Sequence, residues 1–198
     1  VVFAEPDRLS INSMMNEFLA YVDPEMAEKF ATTIPDNDEV LAHAMLRSRV
    51  VLGFGFDVKG AAQPPRRFHG VAFAGDDPSQ FLRRQRGTVK SIAMLEDAAK
   101  GNGSVNTGLE SVVIRRVPML FRLTGQDGIF PALSIEALRV AQGASTYVIK
   151  SSGASSELSF GAKTGIVAIR TGEIEAITDG RGRLALYDTG HQPERYLS

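Results

Sequence analysis

The sequence predicts an α/β domain: a mixed β-sheet flanked by helices, with a helix-rich N-terminal half and a strand-rich C-terminal half. Three observations carry this expectation. Apolar residues recur at spacings of three and four through the first fifty positions, β-branched runs follow from Ser111 onward, and glycines and an Asp-Gly pair punctuate those runs. Helices alternating with strands early and a meander later give a mixed sheet. The 198 residues, 43% of them apolar, suffice for one domain over residues 1–198 with a single buried core.

Val1-Val2-Phe3-Ala4 reads as a strand already under way, and Glu5-Pro6-Asp7-Arg8 as a polar loop. Ile11, Met14, Met15, Phe18, Leu19 and Val22 then form the apolar stripe of an amphipathic helix. Asp23-Pro24-Glu25 stops that helix and starts a second, with aspartate as the cap and proline in the first turn. Pro35 ends it. Asp36 with Glu39 three residues on is a variant capping box, and Leu41, Ala44, Met45 and Ser48 give the third helix a small apolar face.

A strand over residues 50–56 follows, then a proline-bearing loop over 60–67, a short strand over 68–73 and a helix start at Asp77-Pro78. Residues 91–100 read as helical, with Gly101 suited to the left-handed position just past the end. From there strands dominate. Residues 111–123 form a long β-rich segment, Gln126-Asp127-Gly128 a turn, and Pro131 opens a helix that runs to Gln142 before Gly143. On that helix Glu136, Arg139 and Gln142 make a stripe expected to face solvent. Four short strands complete the chain, over 146–150, 165–170, 173–177 and 184–187, with Asp179-Gly180 as a turn. The serine-rich stretch 151–159 reads as a mobile loop.

Charge and composition exclude several functions. Lysine and arginine number 22 against 23 acidic residues, so the net charge is 22 − 23 = −1, and no long basic run marks a nucleic-acid binder. There is no cysteine, hence no disulfide, thiolate nucleophile, iron–sulfur cluster or cysteine-held zinc. No stretch reaches the roughly 20 apolar residues that span a bilayer, and no signal-peptide pattern opens the chain. Both ends look cut, so the chain is expected to be a segment excised from a longer protein, lacking flanking strands and membrane helices.

The motif survey finds little local chemistry. Gly53, Gly55 and Gly60 lack dinucleotide-loop spacing, and Gly101, Gly103 and Gly108 follow a helix instead of a strand, so both sets read as packing and turn glycines. His43, His69 and His191 pair at neither metal-ligand nor triad spacing, and no nucleophile-elbow pattern occurs. No catalytic residue, metal or cofactor is therefore expected. Asn102-Gly103-Ser104 matches a glycosylation acceptor in form only.

Arg115-Arg116 ahead of Val117-Pro118 is conspicuous, and strand alternation aims the two side chains at opposite faces. One of them either grips an anionic ligand or makes a salt bridge within the domain. A second candidate rests on sheet geometry, because open α/β sheets bind ligands beyond the carboxyl ends of their strands. The strand at residues 1–3 runs into Glu5, Asp7 and Arg8, and that at 50–56 into Asp57 and Lys59. If the two strands are parallel, their polar ends share one edge; otherwise these are turn and capping residues. The candidate ligand-binding residues are thus Glu5, Asp7, Asp57 and Arg116.

Four motifs in order carry a resemblance. They are the opening strand with its acidic loop over residues 1–8, Ser111-Val112-Val113-Ile114-Arg115-Arg116-Val117-Pro118-Met119-Leu120, Pro131-Ala132-Leu133-Ser134-Ile135-Glu136-Ala137-Leu138-Arg139, and Thr178-Asp179-Gly180-Arg181-Gly182-Arg183-Leu184 with Glu194-Arg195-Tyr196. Together they resemble the second CHASE family, the cyclase and histidine kinase-associated sensory extracellular domains, over nearly the whole chain. Where family members often carry an aspartate-glycine turn before the arginine strand, this chain has Glu110-Ser111.

The resemblance implies a non-catalytic, extracytoplasmic (periplasmic) sensor of a bacterial inner-membrane signalling protein. That protein would be anchored by flanking helices, pair as a homodimer, and answer an unknown small-molecule ligand or periplasmic signal. A cytoplasmic adenylate or guanylate cyclase is the expected output, with a histidine kinase as the alternative. A soluble enzyme of small-metabolite chemistry and a pure dimerisation domain are the competing readings from other classes.

Overall fold

The computed structural model describes residues 2–7, 35–107, 114–153 and 165–187, together with 21, 23, 25, 26, 29 and 190. Its first described helix, α1 (Asn37–Leu46), is capped by Asp36, whose carboxylate accepts from the Asp38 N–H at 2.8 Å. The central strand β1 (Val51–Asp57) follows at once. It is flanked by β4 (Gly87–Val89), antiparallel, and by β5 (Gly101–Ser104), parallel, with Val51 opposite Gly101. The link to β5 is α2 (Ala93–Ala98), which packs on α1 over a core of Ala42, Met45, Leu52, Leu95, Ala98 and Ala99.

A second sheet orders β11 (Ile174–Ile177), β10 (Ile166–Thr171), β9 (Tyr147–Ser151) and β2 (Val71–Ala74), the last pair parallel. A third places β7 (Leu120–Leu123) between β3 (Arg84–Gln85), parallel, and β8 (Ile129–Pro131), antiparallel. A ribbon pairs β6 (Arg116–Pro118) with β12 (Arg183–Ala185). Between β8 and β9 runs α3 (Leu133–Gln142), ended by Gly143 at φ 66°. The largest core joins the second and third sheets through Phe121, Ile135, Tyr147, Ile149, Ile166 and Ile169.

The α/β class with mixed sheets is what the sequence predicts, but the helix-rich N-terminal half is not supported. Between residues 35 and 107 two α-helices and one 3-10 turn stand against five strands. Of the helix expected over 11–22, all but Tyr21 lies outside the described residues, as do residues 154–159, 191 and 194–196. Of the second helix, residues 25, 26 and 29 are helical, and the Glu25 N–H donates to the Asp23 carboxylate at 3.0 Å, as a capping aspartate should. Nor is there one sheet: among the described residues the strands divide into four, with a bridge from Ser104 to Ala132 tying β5 to β8.

Four local expectations are corrected. Residues 2–4 pair with no described strand; instead the Phe3 N–H donates to Ser91 Oγ at 3.1 Å and its carbonyl accepts from Ile92 at 2.8 Å. Gly101 does not end a helix but opens β5, because this buried strand has room for no side chain on alternate residues. A Cβ on Gly101 would sit 1.8 Å from Glu136 Oε1, and one on Gly103 would sit 2.5 Å from Leu133 Cα. Of the stripe on α3, Glu136 and Arg139 are 0% and 5% exposed and face β5 and β9, not water, while Gln142 is exposed as expected. The long segment 111–123 is likewise broken, β6 and β7 being separated at Met119.

Candidate functional site

Arginine side chains converge on a cleft of about 1050 Å³ between the end of β1, the β3–β4 arm and the β6–β12 ribbon. β1 delivers Phe56 and Asp57, and the Asp57 carboxylate accepts from the Lys59 N–H at 3.0 Å, fixing the turn that leaves the sheet. The arm is set by Asp77-Pro78. Asp77 caps the 3-10 turn Pro78–Gln80 through the Ser79 N–H at 2.9 Å, which holds its carboxyl below the usual range. The chain then runs through Phe81, Leu82, Arg83 and Arg84 into β3 and on to Arg86. Because β3 pairs with β7 in parallel, Arg84 stands opposite Arg122 at the sheet edge.

The ribbon brings the other arginines. The Asp179 carboxylate accepts from the backbone N–H of Arg181 and of Arg183, each at 3.0 Å, and from Arg183 Nε at 2.8 Å; Arg116 Nε lies 3.8 Å away. Burial works against the charge of Asp179, but these donors prevail and hold its pKa below the usual carboxylate value. Arg181 and Arg183 therefore line the cleft from one anchored turn and Arg116 from the neighbouring β6, while Arg83, Arg84 and Arg86 line it from the arm. Among the described residues six arginines line this space, and Asp57 is the one acidic residue beside them. The side chains of Arg84, Arg86 and Arg181 are exposed and make no ion pair among the described residues. The floor is aromatic, with Phe56 and Phe121 edge to face at 4.8 Å and Phe81 beside them.

A second cluster is sealed in the core. Glu136 accepts Arg139 Nε at 2.9 Å and Arg139 Nη2 at 2.8 Å, takes the Tyr147 hydroxyl proton in a hydrogen bond, and lies 3.7 Å from His69 Nε2. Arg139 also donates to the carbonyls of Ala144 at 2.7 Å and Lys100 at 3.0 Å. Burial opposes the charge of Arg139, yet the carboxylate keeps its pKa above the ordinary value. Burial first, then the neighbouring carboxylate, pushes the Tyr147 phenol well up. With donors and acceptors this fully matched, the cluster is a structural lock joining α3, β5 and β9. Another buried acid, Glu96, takes Lys90 Nζ on Oε2 at 3.0 Å and leaves Oε1 without a partner.

Of the residues expected to bind ligand, Asp57 and Arg116 line the cleft and Glu5 and Asp7 do not. Asp7 sits at the start of α1, where its N–H donates to Asp38 at 2.9 Å and its carboxylate accepts from Asn37 at 2.8 Å, and Glu5 is exposed nearby. Sequence reading overlooked Arg83, Arg84, Arg86, Arg181 and Arg183. The signal was present: three arginines within residues 83–86 are a denser charge than Arg115-Arg116, and Arg181-Gly182-Arg183 adds two more. Asn102 of the acceptor-like triplet is buried in β5, its amide donating to Arg67 O at 3.1 Å. Among the described residues no cluster of histidine and carboxylate ligands fits a metal ion, and no helix is long and apolar enough to cross a membrane. No known protein family, curated protein or solved structure matches this chain.

Proposed function

We propose that this chain is a sensory binding domain that takes a small anionic molecule in the arginine cleft. The observation that carries the reading is the set Arg84, Arg86 and Arg181, three exposed arginines with no acidic partner among the described residues, around one aromatic-floored cavity. Like charges crowded at one cleft repel one another, and an anion relieves that repulsion while gaining charge-assisted hydrogen bonds. The clefts of binding proteins combine the same two parts, an apolar surface and a few convergent polar groups.

The resemblance to the second CHASE family supports the wider setting. In it the domain lies outside the cytoplasmic membrane, between membrane helices of a bacterial signalling protein, pairs with a second copy, and regulates a cytoplasmic adenylate or guanylate cyclase. In this reading the domain itself is non-catalytic. Thermal melting of the purified chain with phosphate, sulfate and citrate, against sodium chloride at equal ionic strength, tests the binding. A melting temperature that rises with anion concentration beyond the chloride control, and fails to rise in Arg84→Ala/Arg181→Ala, is expected. Equal curves in all four salts would remove the basis of the proposal.

A further inference from the structure

Resting on the reading of the cleft as an anion site, we infer that its ligand is a phosphorylated small molecule with an aromatic body, at least two negative charges and a free hydroxyl, a nucleoside diphosphate being the simplest example. Size is the first argument. A cavity of about 1050 Å³ stands at the upper end of the roughly 300–1,000 Å³ that holds drug-sized ligands. A lone inorganic phosphate would touch one corner of it and leave most of the arginines in water.

Charge is the second argument. Arg84 and Arg86 come from the β3–β4 arm and Arg181 from the turn before β12, two segments that meet only in the folded domain. A single monoanion cannot satisfy both, whereas two linked phosphates offer enough oxygens for forked contacts from each. The floor is the third. Phe56 and Phe81, both half-buried, offer a flat ring an apolar surface with the buried Phe121 behind them, and a lining arginine would stack on the ring's other side. Asp57 narrows the choice further. As the one carboxylate among the described residues lining the cleft it repels phosphate and accepts a hydrogen bond from a hydroxyl, which a ribose supplies and inorganic polyphosphate lacks.

Calorimetric titration of the whole chain at fixed ionic strength, with inorganic phosphate, pyrophosphate, phenyl phosphate and adenosine diphosphate, separates these terms. The nucleotide should bind at least about tenfold tighter than pyrophosphate or phenyl phosphate, and phosphate weakest of all. Arg84→Ala and Arg181→Ala should each weaken the nucleotide about tenfold, while Asp57→Asn, which also removes a charge that repels phosphate, weakens the nucleotide relative to pyrophosphate. All three positions lie at the surface or at a strand end, and circular dichroism checks that each variant is folded. Pyrophosphate binding as tightly as the nucleotide overturns the aromatic, hydroxyl-bearing ligand and leaves the anion site standing. Tighter binding of a ten-nucleotide single strand overturns the small-molecule ligand. If no probe binds and no other anion raises the melting temperature, the site itself falls with the inference.

Discussion

Tyr147, Glu136 and Arg139 show what one misplaced polar stripe decides. With Glu136 wholly buried, replacing it by leucine strands the Arg139 guanidinium in the core. We expect Glu136→Leu to cost about 3–5 kcal/mol in denaturant unfolding, the usual penalty for breaking a buried pair from one side. Tyr147→Phe removes one charge-assisted hydrogen bond and should cost about 1–3 kcal/mol. Its pH signature is distinct. The phenol's folded pKa is raised, so the stability it contributes is complete below its ordinary value of about 10 and is lost as pH rises past that point. Urea midpoints should fall above that pH in the parent and fall less in Tyr147→Phe. The residues of this lock were legible as a polar stripe on α3, but periodicity gives a face without saying what the face meets.

Elements bounded by strong local chemistry were read well, and those held by contact were not. The Asp36 cap of α1 and the αL glycine after α3 are local signals and both hold, whereas Pro131, expected to open α3, ends β8 and the helix begins at Leu133. β5 has the sequence Gly-Asn-Gly-Ser, with no β-former, and is a strand because α3 presses so closely that only glycine fits. Gly103→Ala should therefore cost about 1–3 kcal/mol or more, as overpacking against backbone does, and should lower helical circular dichroism by loosening α3. The same logic hides the cleft. Arg83, Arg84 and Arg86 are adjacent in the chain, but only the pairing of β6 with β12 brings Arg116, Arg181 and Arg183 to them. Asp179 anchors that ribbon with a lowered pKa, so its contribution is present above about pH 4 and lost as pH falls below it. Asp179→Ala should weaken anion binding at neutral pH and flatten the acid limb of binding below that point, both read by titration.

For the whole molecule, a net charge of −1 conceals an uneven distribution, with six arginines around one cleft. Composition reports the sum and is blind to the clustering, which is why the charge balance argued against polyanionic partners so broadly. Self-repulsion in the cleft weakens with screening, so moving from about 0.01 M to 0.15 M salt, which shortens the Debye length from about 30 to 8 Å, should raise the melting temperature of the unliganded domain. Arg84→Ala/Arg86→Ala should start higher and gain less. The overall class was legible because alternating helices and strands survive any local error, whereas the division into four small sheets depends on pairings between distant segments.

Those distant pairings also set a clock. β2 finds β9 with Val71 opposite Tyr147, and β6 finds β12 with Arg116 opposite Ala185, so neither ladder can zip from a hairpin. Such topologies lose loop entropy before any contact repays it and fold in milliseconds to seconds. During synthesis the cleft cannot exist until β12 has emerged, and in refolding experiments anion affinity should appear as the slowest phase, after the α1–α2 layer has already formed.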